Sequence, residues 1–321
     1  MTDYLTTYGT ISQQLREAID FVSVTRAKVK GKCFGPSRAL QEEVRKLYNT
    51  EVEERLQVIG RLIIELGQAR PQKFAVGLSR LTLNLGESSE QMLTLLYLPG
   101  YRNQLKVVVA QLDHIARSLI YFQRIILKKA DTSVFNVNRL MRDVILAVCP
   151  YCEDFMPPGH EETVRVSFKD KLDEAVPHMD GFAEGIYLAI YHLVANAVIA
   201  AGDGGKISVY TGYYPKFKQL QITISDNGQG IDRMGVLKSA LLAEAVNVQQ
   251  AGELRADNSD HNNKIYDLIF LPRVGAFGLD NKEHRGIGLT LAREEILGHR
   301  GKIEIHSKVG RGTNFQVFFT L

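Results

Sequence analysis

The sequence lacks any apolar run near the roughly 20 residues that cross a bilayer, and its polar start lacks the charged and apolar segments of a secretory signal. Its three cysteines, Cys33, Cys149 and Cys152, are too few for a disulfide framework. The net charge of +3 comes from interspersed charges rather than a basic block, which argues against nucleic acid as the main ligand. These absences predict a cytosolic protein without a membrane span.

The chain of 321 residues is long enough for two domains, and its pattern of apolar residues changes once, near residue 131. Residues 1–70 predict an N-terminal helical region, and residues 71–131 predict a helical hairpin with a Pro-Gly turn. The second helix of this hairpin has apolar residues at alternating spacings of three and four, as in a bundle or coiled coil. They are Leu105, Val108, Leu112, Ile115, Leu119, Phe122 and Ile126.

A lone pair of helices leaves an apolar stripe uncovered. A homodimeric four-helix bundle covers it, so the sequence favours dimerisation through the hairpin. The alternative is that residues 2–30 and 37–69 supply the missing helices within one chain.

Beyond residue 131 the pattern predicts a C-terminal α+β sandwich, in which one mixed sheet carries helices on one face. The predicted strands are 164–168, 206–210, 219–225, 302–306 and 313–319. The predicted helices are 138–148, 181–201 and 289–297. The whole chain is thus predicted to be a multidomain protein with an all-α N-terminal part and an α+β domain at 132–321.

Three short motifs follow one another in this predicted domain. The first, HLVAN, places His192 and Asn196 four residues apart and hence on one edge of a helix. An amide oxygen suits Mg²⁺, which takes hard oxygen ligands and is shared with phosphates. His192 is a candidate for accepting a proton or contacting the terminal phosphate. Each residue alone also fits a capped or buried polar side chain.

The second motif, DNGQG, puts Asp226 at a strand end, where a carboxylate can accept a hydrogen bond from an exocyclic amine such as that of adenine. Gly228 and Gly230 would let the backbone pass close to the base. The third motif, RGIGL, comes just before a helix, where backbone N–H groups can approach phosphate oxygens. Its candidate contact residues are Gly286, Ile287, Gly288 and Leu289. The three motifs in order indicate a nucleotide site more strongly than any one of them.

These motifs resemble the ATP-binding domain shared by histidine kinases, type II topoisomerases, a heat-shock chaperone and a mismatch-repair protein, which has the Bergerat-type fold. The resemblance covers about residues 131–321 and includes the final hairpin, where Gly310, Gly312 and Thr313 fit the family's closing turn. It implies that Asn196 binds Mg²⁺ and that Asp226 reads adenine. It also implies that ATP is framed by the glycines of the second and third motifs together with Thr313.

Within that family the chain resembles the histidine kinase branch, and in particular the chemotaxis kinase. His192 stands where most sensor kinases have Asn. Residues 134–144 and 266–272 resemble that kinase's domain entry and the segment before its lid, and the lid at 231–285 is long. Two features depart from the family: no histidine occurs in residues 77–81, where sensor kinases carry their acceptor, and no Lys or aromatic residue closes the Asn196 helix. The only histidine of the predicted hairpin is His114, which we expect to be exposed and which is a candidate phosphoacceptor.

Three functions remain open on the sequence. The first is an ATP-dependent histidine kinase, dimeric through the hairpin, that passes the γ-phosphate to its own His114 or to a separate phosphotransfer domain, and thence to a response regulator. The second is a nucleotide-gated scaffold. The third is a Ser/Thr kinase of the same superfamily. The N-terminal helices are candidates for contacting a sensor protein. The intact nucleotide-contact residues favour the first.

Overall fold

The computed structural model describes residues 114, 117, 118, 120, 121, 132–148, 166–256, 264–272, 274 and 288–321. They fall into two compact units, one that contains the residues of 114–121 together with 142–148, and one that contains 134–141 and everything from 166 onward. The predicted region 1–70 and most of the predicted hairpin lie outside the described residues.

The second unit is built around a five-stranded sheet in the order β2-β4-β5-β7-β6. Its strands are β2 (Val166–Leu172), β4 (Gly205–Tyr214), β5 (Gln219–Asp226), β6 (Lys302–Lys308) and β7 (Gly312–Thr320). The pair β2 and β4 is parallel, while the other three pairs are antiparallel, so the sheet is mixed as predicted. Two short strands, β1 (Ser133–Phe135) and β3 (Met179–Gly181), form a separate sheet that the sequence did not predict.

Six α-helices are described over their full length, besides the helical residues of 114–121 and two short 3-10 turns. They are α1 (Val137–Val148), α2 (Ala183–Ala201), α3 (Arg233–Leu242), α4 (Val248–Ala256), α5 (Lys264–Asp267) and α6 (Gly288–Gly298). The predicted helices at 138–148, 181–201 and 289–297 are confirmed to within two residues. The helices α3 to α5 lie inside the segment predicted as a long lid, where no helix was predicted.

Buried and more exposed residues alternate along the strands, and the buried ones form the core. In β5, Leu220, Ile222 and Ile224 are fully buried, and the residues between them are partly exposed. The helix α2 packs against this face of the sheet and against α6. Because α2 is apolar on nearly all sides, it fits a position enclosed by a sheet and a second helix.

The same helix α2 is the only one in the described part of the chain with the length and composition of a membrane span. Two thirds of its most apolar window (67%) is buried within the fold. Burial against the sheet accounts for its hydrophobicity without any lipid.

Local signals fix the helix ends. The helix α3 begins after Asp232, whose side chain accepts from the Met234 N–H at 3.0 Å. Before α4, Asn247 and Gln250 exchange hydrogen bonds between side chain and backbone, at 2.8 and 2.9 Å, which is a reciprocal capping arrangement. The helix α2 ends at Gly202, which adopts a φ of 67°.

Candidate nucleotide site

His192 and Asn196 both lie on α2, as the first motif predicted. The His192 ring is buried, with 7% exposure, and stands edge-on to the Tyr191 ring at 5.9 Å between centroids. The Asn196 side chain is half-buried, and its amide has no hydrogen-bond partner among the described residues. A polar group in this state is available to a ligand, because binding would break no bond to the described part of the chain.

Asp226 ends β5 and is 8% exposed. Its Oδ1 accepts from the backbone N–H groups of Gly228 at 2.9 Å and Thr313 at 3.2 Å. Burial raises the pKa of this carboxyl above its usual value, although the two N–H groups act in the opposite direction. Since both bonds go to Oδ1, Oδ2 is the oxygen left to accept from a ligand amine.

The loop after Asp226 is held against the end of α2. A Cβ on Gly228 would overlap the backbone carbonyl of Ala200, and the Gln229 N–H donates to that same carbonyl at 3.4 Å. Ala200 lies one helical turn beyond Asn196, so this contact brings the first two motifs together. The close approach that demands glycine at position 228 is therefore to the helix backbone, and an approach to a base stays a prediction.

On its other side the loop meets the turn between β6 and β7. Gly230 has a φ of 72°, and any side chain there would overlap the Lys308 carbonyl. The Gly310 N–H donates to the Gln229 carbonyl at 2.8 Å. The loop 226–230 is thus fixed between a helix end and a strand turn, which makes the position of Asp226 a property of the whole domain.

Thr313, predicted from the family's closing turn, is buried next to Asp226. Its hydroxyl lies 3.0 Å from the hydroxyl of Ser307, its cross-strand neighbour in β6. Ser307 was not predicted as a site residue. The predicted strand 302–306 stopped one residue short of it, and a serine at a strand end carries no motif that would single it out.

The third motif is described only in part. The helix α6 begins at Gly288, which is buried, and Leu289 follows in its first turn. Gly286 and Ile287 lie outside the described residues, so their predicted contact with phosphate stays a prediction. The helix itself is anchored by Arg293, whose guanidinium lies 5.1 Å from the centre of the Phe270 ring.

One prediction about His114 is wrong. We expected an exposed side chain, but His114 is helical and only 1% exposed. Ser118 and Tyr121, which share its helical face, are buried too. On the same helix, Arg117 pairs with Asp143 of α1 at 3.0 Å. The sequence pattern marked only the apolar seam, and it could not show that α1 approaches this more polar part of the helix.

Two further features bear on ligands. A cavity of about 320 Å³ lies between α4 and α5 and is lined by Val246, Gln250, Glu253, Leu254 and Lys264, none of which is a predicted site residue. Among the described residues, no cluster of three or more His, Cys, Asp or Glu side chains could hold a metal ion.

Residues 181–321 match the family of histidine kinase-, DNA gyrase B-, and HSP90-like ATPases. These residues therefore form an ATPase domain of that family, as the motifs predicted, with the α/β architecture described above. The family implies nucleotide binding.

Among known proteins, the chain is similar to a signal transduction histidine-protein kinase and to a chemotaxis protein. The signal transduction histidine-protein kinase AtoS of Escherichia coli K12 is 24% identical over 226 residues, which are 70% of this chain and 30% of that protein. The chemotaxis protein CheA of Bacillus subtilis is 28% identical over 116 residues, 36% of this chain and 16% of that protein. The chain thus spans less than a third of the length of either relative.

A solved structure of the mycobacterial sensor histidine kinase MprB is 14% identical. The match covers 60% of this chain and 97% of that one, with a TM-score of 0.40. A likeness at this level adds nothing to the assignment made from residues 181–321.

Proposed function

We propose that this protein is an ATP-dependent histidine kinase that binds Mg-ATP between α2 and the loop 226–230 and transfers the γ-phosphoryl group to a histidine. The observation that carries the proposal is the contact of the 226–230 loop with the end of α2. It brings a buried carboxylate and an unbonded amide into one region of the domain. A carboxylate suited to a base amine and an amide suited to a metal are what an ATP site requires.

The base end of this site is Asp226. With Oδ1 occupied by two backbone N–H groups, the ionised carboxylate is oriented before any ligand arrives. Its Oδ2 is then free to accept from the exocyclic amine of adenine. Guanine has a carbonyl oxygen at the corresponding position, and two acceptors would repel each other. The site is therefore expected to prefer adenine nucleotides.

The phosphate end is Asn196 with His192. Asn196 fits a magnesium ion shared with the phosphates, because its amide oxygen is a hard ligand and is not engaged within the described residues. Such an ion, when bound, offsets the charge on the transferring phosphoryl group. His192 lies one turn earlier on α2 and is nearly buried, so its ring is held in place to contact the terminal phosphate or to accept a proton.

The acceptor is proposed to be a histidine on a separate phosphotransfer protein. In the transfer, the bond between the γ-phosphorus and the β–γ bridging oxygen breaks, a bond from phosphorus to an imidazole nitrogen forms, and ADP leaves. The acceptor nitrogen must reach the phosphorus. His114 is 1% exposed, which disfavours it in this role. Relay to a response regulator and dimerisation through the residues 71–131 complete the proposal.

Incubation with γ-labelled ATP, alone and with candidate phosphotransfer domains, tests the proposal. We expect acid-labile, base-stable label on the partner with the wild type and no label with Asn196→Ala. The variant His114→Gln should still label the partner. Acid-stable label would instead show a Ser/Thr kinase. Label on the protein itself that disappears in His114→Gln would show that the buried histidine becomes accessible and is the acceptor.

A nucleotide-gated scaffold is the second candidate, and one observation favours it. Ile199 follows Asn196 by three residues and is 63% exposed, so an aliphatic side chain occupies the end of α2 where a cation could contact phosphate. A weakened hold on the terminal phosphate would permit binding without transfer. Saturable ATP binding by calorimetry, combined with no label on any partner, would support this candidate.

A further inference from the structure

Ser307, at the penultimate position of β6, forms hydrogen bonds with three different parts of the ATPase domain. Its Oγ accepts from the Ile231 N–H at 2.8 Å. The same Oγ lies 3.0 Å from the Thr313 Oγ1 and 3.2 Å from the Gly312 carbonyl oxygen. Its own carbonyl accepts from the Tyr266 hydroxyl at 3.0 Å. Through its hydroxyl and its backbone carbonyl together, Ser307 thus contacts the chain at 231, 266 and 312–313.

Two of these partners lie at opposite ends of one stretch of chain. Ile231 is the first residue after the loop 226–230 and comes directly before the cap of α3. Tyr266 belongs to α5, where Ile265 and the following turn Leu268–Phe270 are buried. Ser307 therefore holds the stretch both where it leaves the site and where it returns to the core.

In the described part of this stretch, residues 231–256 and 264–266, few side chains are buried between the two ends. Apart from Ile265 beside Tyr266, they are Val236, Leu237 and Ala240 of α3 and Ala251 of α4. Several of its apolar side chains are exposed, namely Met234, Leu242 and Val248. A segment with little buried apolar area opens at low free energy, so each hydrogen bond at its ends contributes a large share of its order.

The third partner of Ser307 connects this anchor to the base site. Thr313, whose hydroxyl meets that of Ser307, donates its backbone N–H to the Asp226 Oδ1 at 3.2 Å. Two hydrogen bonds therefore separate Ser307 from the carboxylate that is proposed to read adenine. A shift of β6 relative to β7 at this point would move the carboxylate and both ends of the stretch together.

We propose that Ser307 is a positioning residue that couples recognition of the base at Asp226 to the order of residues 231–256. Binding of an adenine nucleotide fixes Asp226 and Thr313, and through Ser307 it reduces the opening of the stretch. An ordered stretch in turn keeps Asp226 in its binding position. The inference rests on the proposed function, because it requires that Asp226 contacts the base.

The test compares Ser307→Ala, Ser307→Thr and Tyr266→Phe with the wild type, by calorimetry with ADP and GDP and by amide hydrogen exchange with and without ADP. In the wild type, ADP should slow exchange in residues 231–256. Loss of the Ser307 hydroxyl should weaken ADP binding by about three- to tenfold and reduce the preference for ADP over GDP. The slowing of exchange should largely disappear, and Ser307→Thr, which keeps the hydroxyl, should restore both properties.

Two control variants remove a hydroxyl elsewhere in the same sheet. Ser208→Ala and Tyr213→Phe change side chains of β4 that have no hydrogen bond among the described residues, so both should match the wild type. A purely structural role for Ser307 would lower stability and leave the ratio of ADP to GDP affinity unchanged. That result, or unchanged protection by ADP in Ser307→Ala, would overturn the inference. If Ser307→Ala does not fold, Tyr266→Phe tests the inference instead, by the ratio of ADP to GDP affinity and by the protection that ADP gives to residues 231–256. Failure of the wild type to bind ADP at all would instead refute the proposed function.

Discussion

The two side chains on which the candidate site depends are held in opposite ways. Asp226 is buried and fixed by two backbone N–H groups, and its loop is locked between the end of α2 and the turn of β6 and β7. Asn196 is half-buried and makes no hydrogen bond within the described residues. The proposed base end is thus organised before any ligand arrives, whereas the proposed metal end has no such bonds among the described residues.

Because of this difference, substitutions at the two ends should differ in whether they lower the stability of the fold. A substitution around Asp226 should affect folding and binding together, because the same hydrogen bonds serve both. A substitution at Asn196 should affect function alone. The free energy of unfolding and the affinity for nucleotide, measured on the same variants, will show whether the two ends differ in this way.

The largest effect is expected for Gly228→Ala. The added Cβ would overlap the Ala200 carbonyl, so either the loop or the end of α2 must move. We expect the free energy of unfolding to fall by about 2–3 kcal/mol. Thermal and denaturant unfolding measure the loss, and calorimetry should show weaker binding of ADP at a temperature where the variant is folded.

The matched control is Gly252→Ala in α4, where an added Cβ meets no atom within 4 Å. Alanine is the better helix former, so this variant should be as stable as the wild type or slightly more stable. If Gly228→Ala were no more destabilising than this control, the contact between the loop and α2 would not hold the base end in place.

The next largest effect on stability is expected for Asp226→Ala, which is compared with Asp226→Asn. Alanine leaves the buried N–H groups of Gly228 and Thr313 without their acceptor, which should cost about 2 kcal/mol of stability. Asparagine keeps an oxygen at the Oδ1 position and removes a buried charge, so its stability should be close to that of the wild type. Both variants should lose adenine nucleotide binding. Equal destabilisation by the two substitutions, in denaturant melts, would mean that Oδ1 does not organise the loop.

The raised pKa of Asp226 predicts that lowering the pH has opposite effects on stability and on the affinity for nucleotide. Because burial raises the pKa in the folded state, the folded protein binds this proton more tightly than the unfolded chain does. The contribution of this group to stability is therefore greatest below the unfolded pKa and is lost as the pH rises through the folded pKa. Binding of an adenine amine needs the ionised carboxylate, so affinity should fall as the pH is lowered.

Calorimetry across a pH series checks this prediction. Below the folded pKa of Asp226, the affinity for ADP should fall by about tenfold for each pH unit, since one proton competes with the ligand. The onset should lie above the pH at which an ordinary aspartate titrates. Residual binding by Asp226→Asn should lack this dependence, and an identical pH profile in the variant would assign the effect to another group.

The sequence predicted the strands and main helices of the ATPase domain because their alternating or continuous apolar patterns reflect burial directly, as in β5 and α2. It also indicated Asn196, Asp226 and Thr313 as candidate site residues through their motifs, and their roles stay predictions. It did not predict what holds them. The contact of Gly228 with Ala200 joins a loop to a helix end across 28 residues, and Ser307 acts through backbone groups of three segments. Such contacts depend on tertiary geometry, which no local pattern records.

His114 illustrates the same limit. Its spacing places it outside the apolar seam of the predicted hairpin, which is why an exposed side chain was expected. Burial of a polar helical face depends on which other helix approaches it, and here Arg117 and Asp143 bring α1 to the same helix. A heptad pattern describes one interface of a helix and contains no information on a second.

The smallest effect on stability is expected for Asn196→Ala. This variant tests most directly whether Asn196, unlike Asp226, contributes nothing to the fold. The substitution removes no hydrogen bond within the described residues and places a better helix former in α2, so the free energy of unfolding should be unchanged or higher by up to about 0.5 kcal/mol. Phosphoryl transfer should nevertheless be lost. Asn227→Ala is the matched variant, because the Asn227 Oδ1 accepts from the Lys206 N–H at 2.6 Å and its loss should cost about 1 kcal/mol. If Asn196→Ala destabilised the fold as much as Asn227→Ala does, the amide of Asn196 would serve the folded protein rather than a ligand, and the proposed metal end would have no support from this residue.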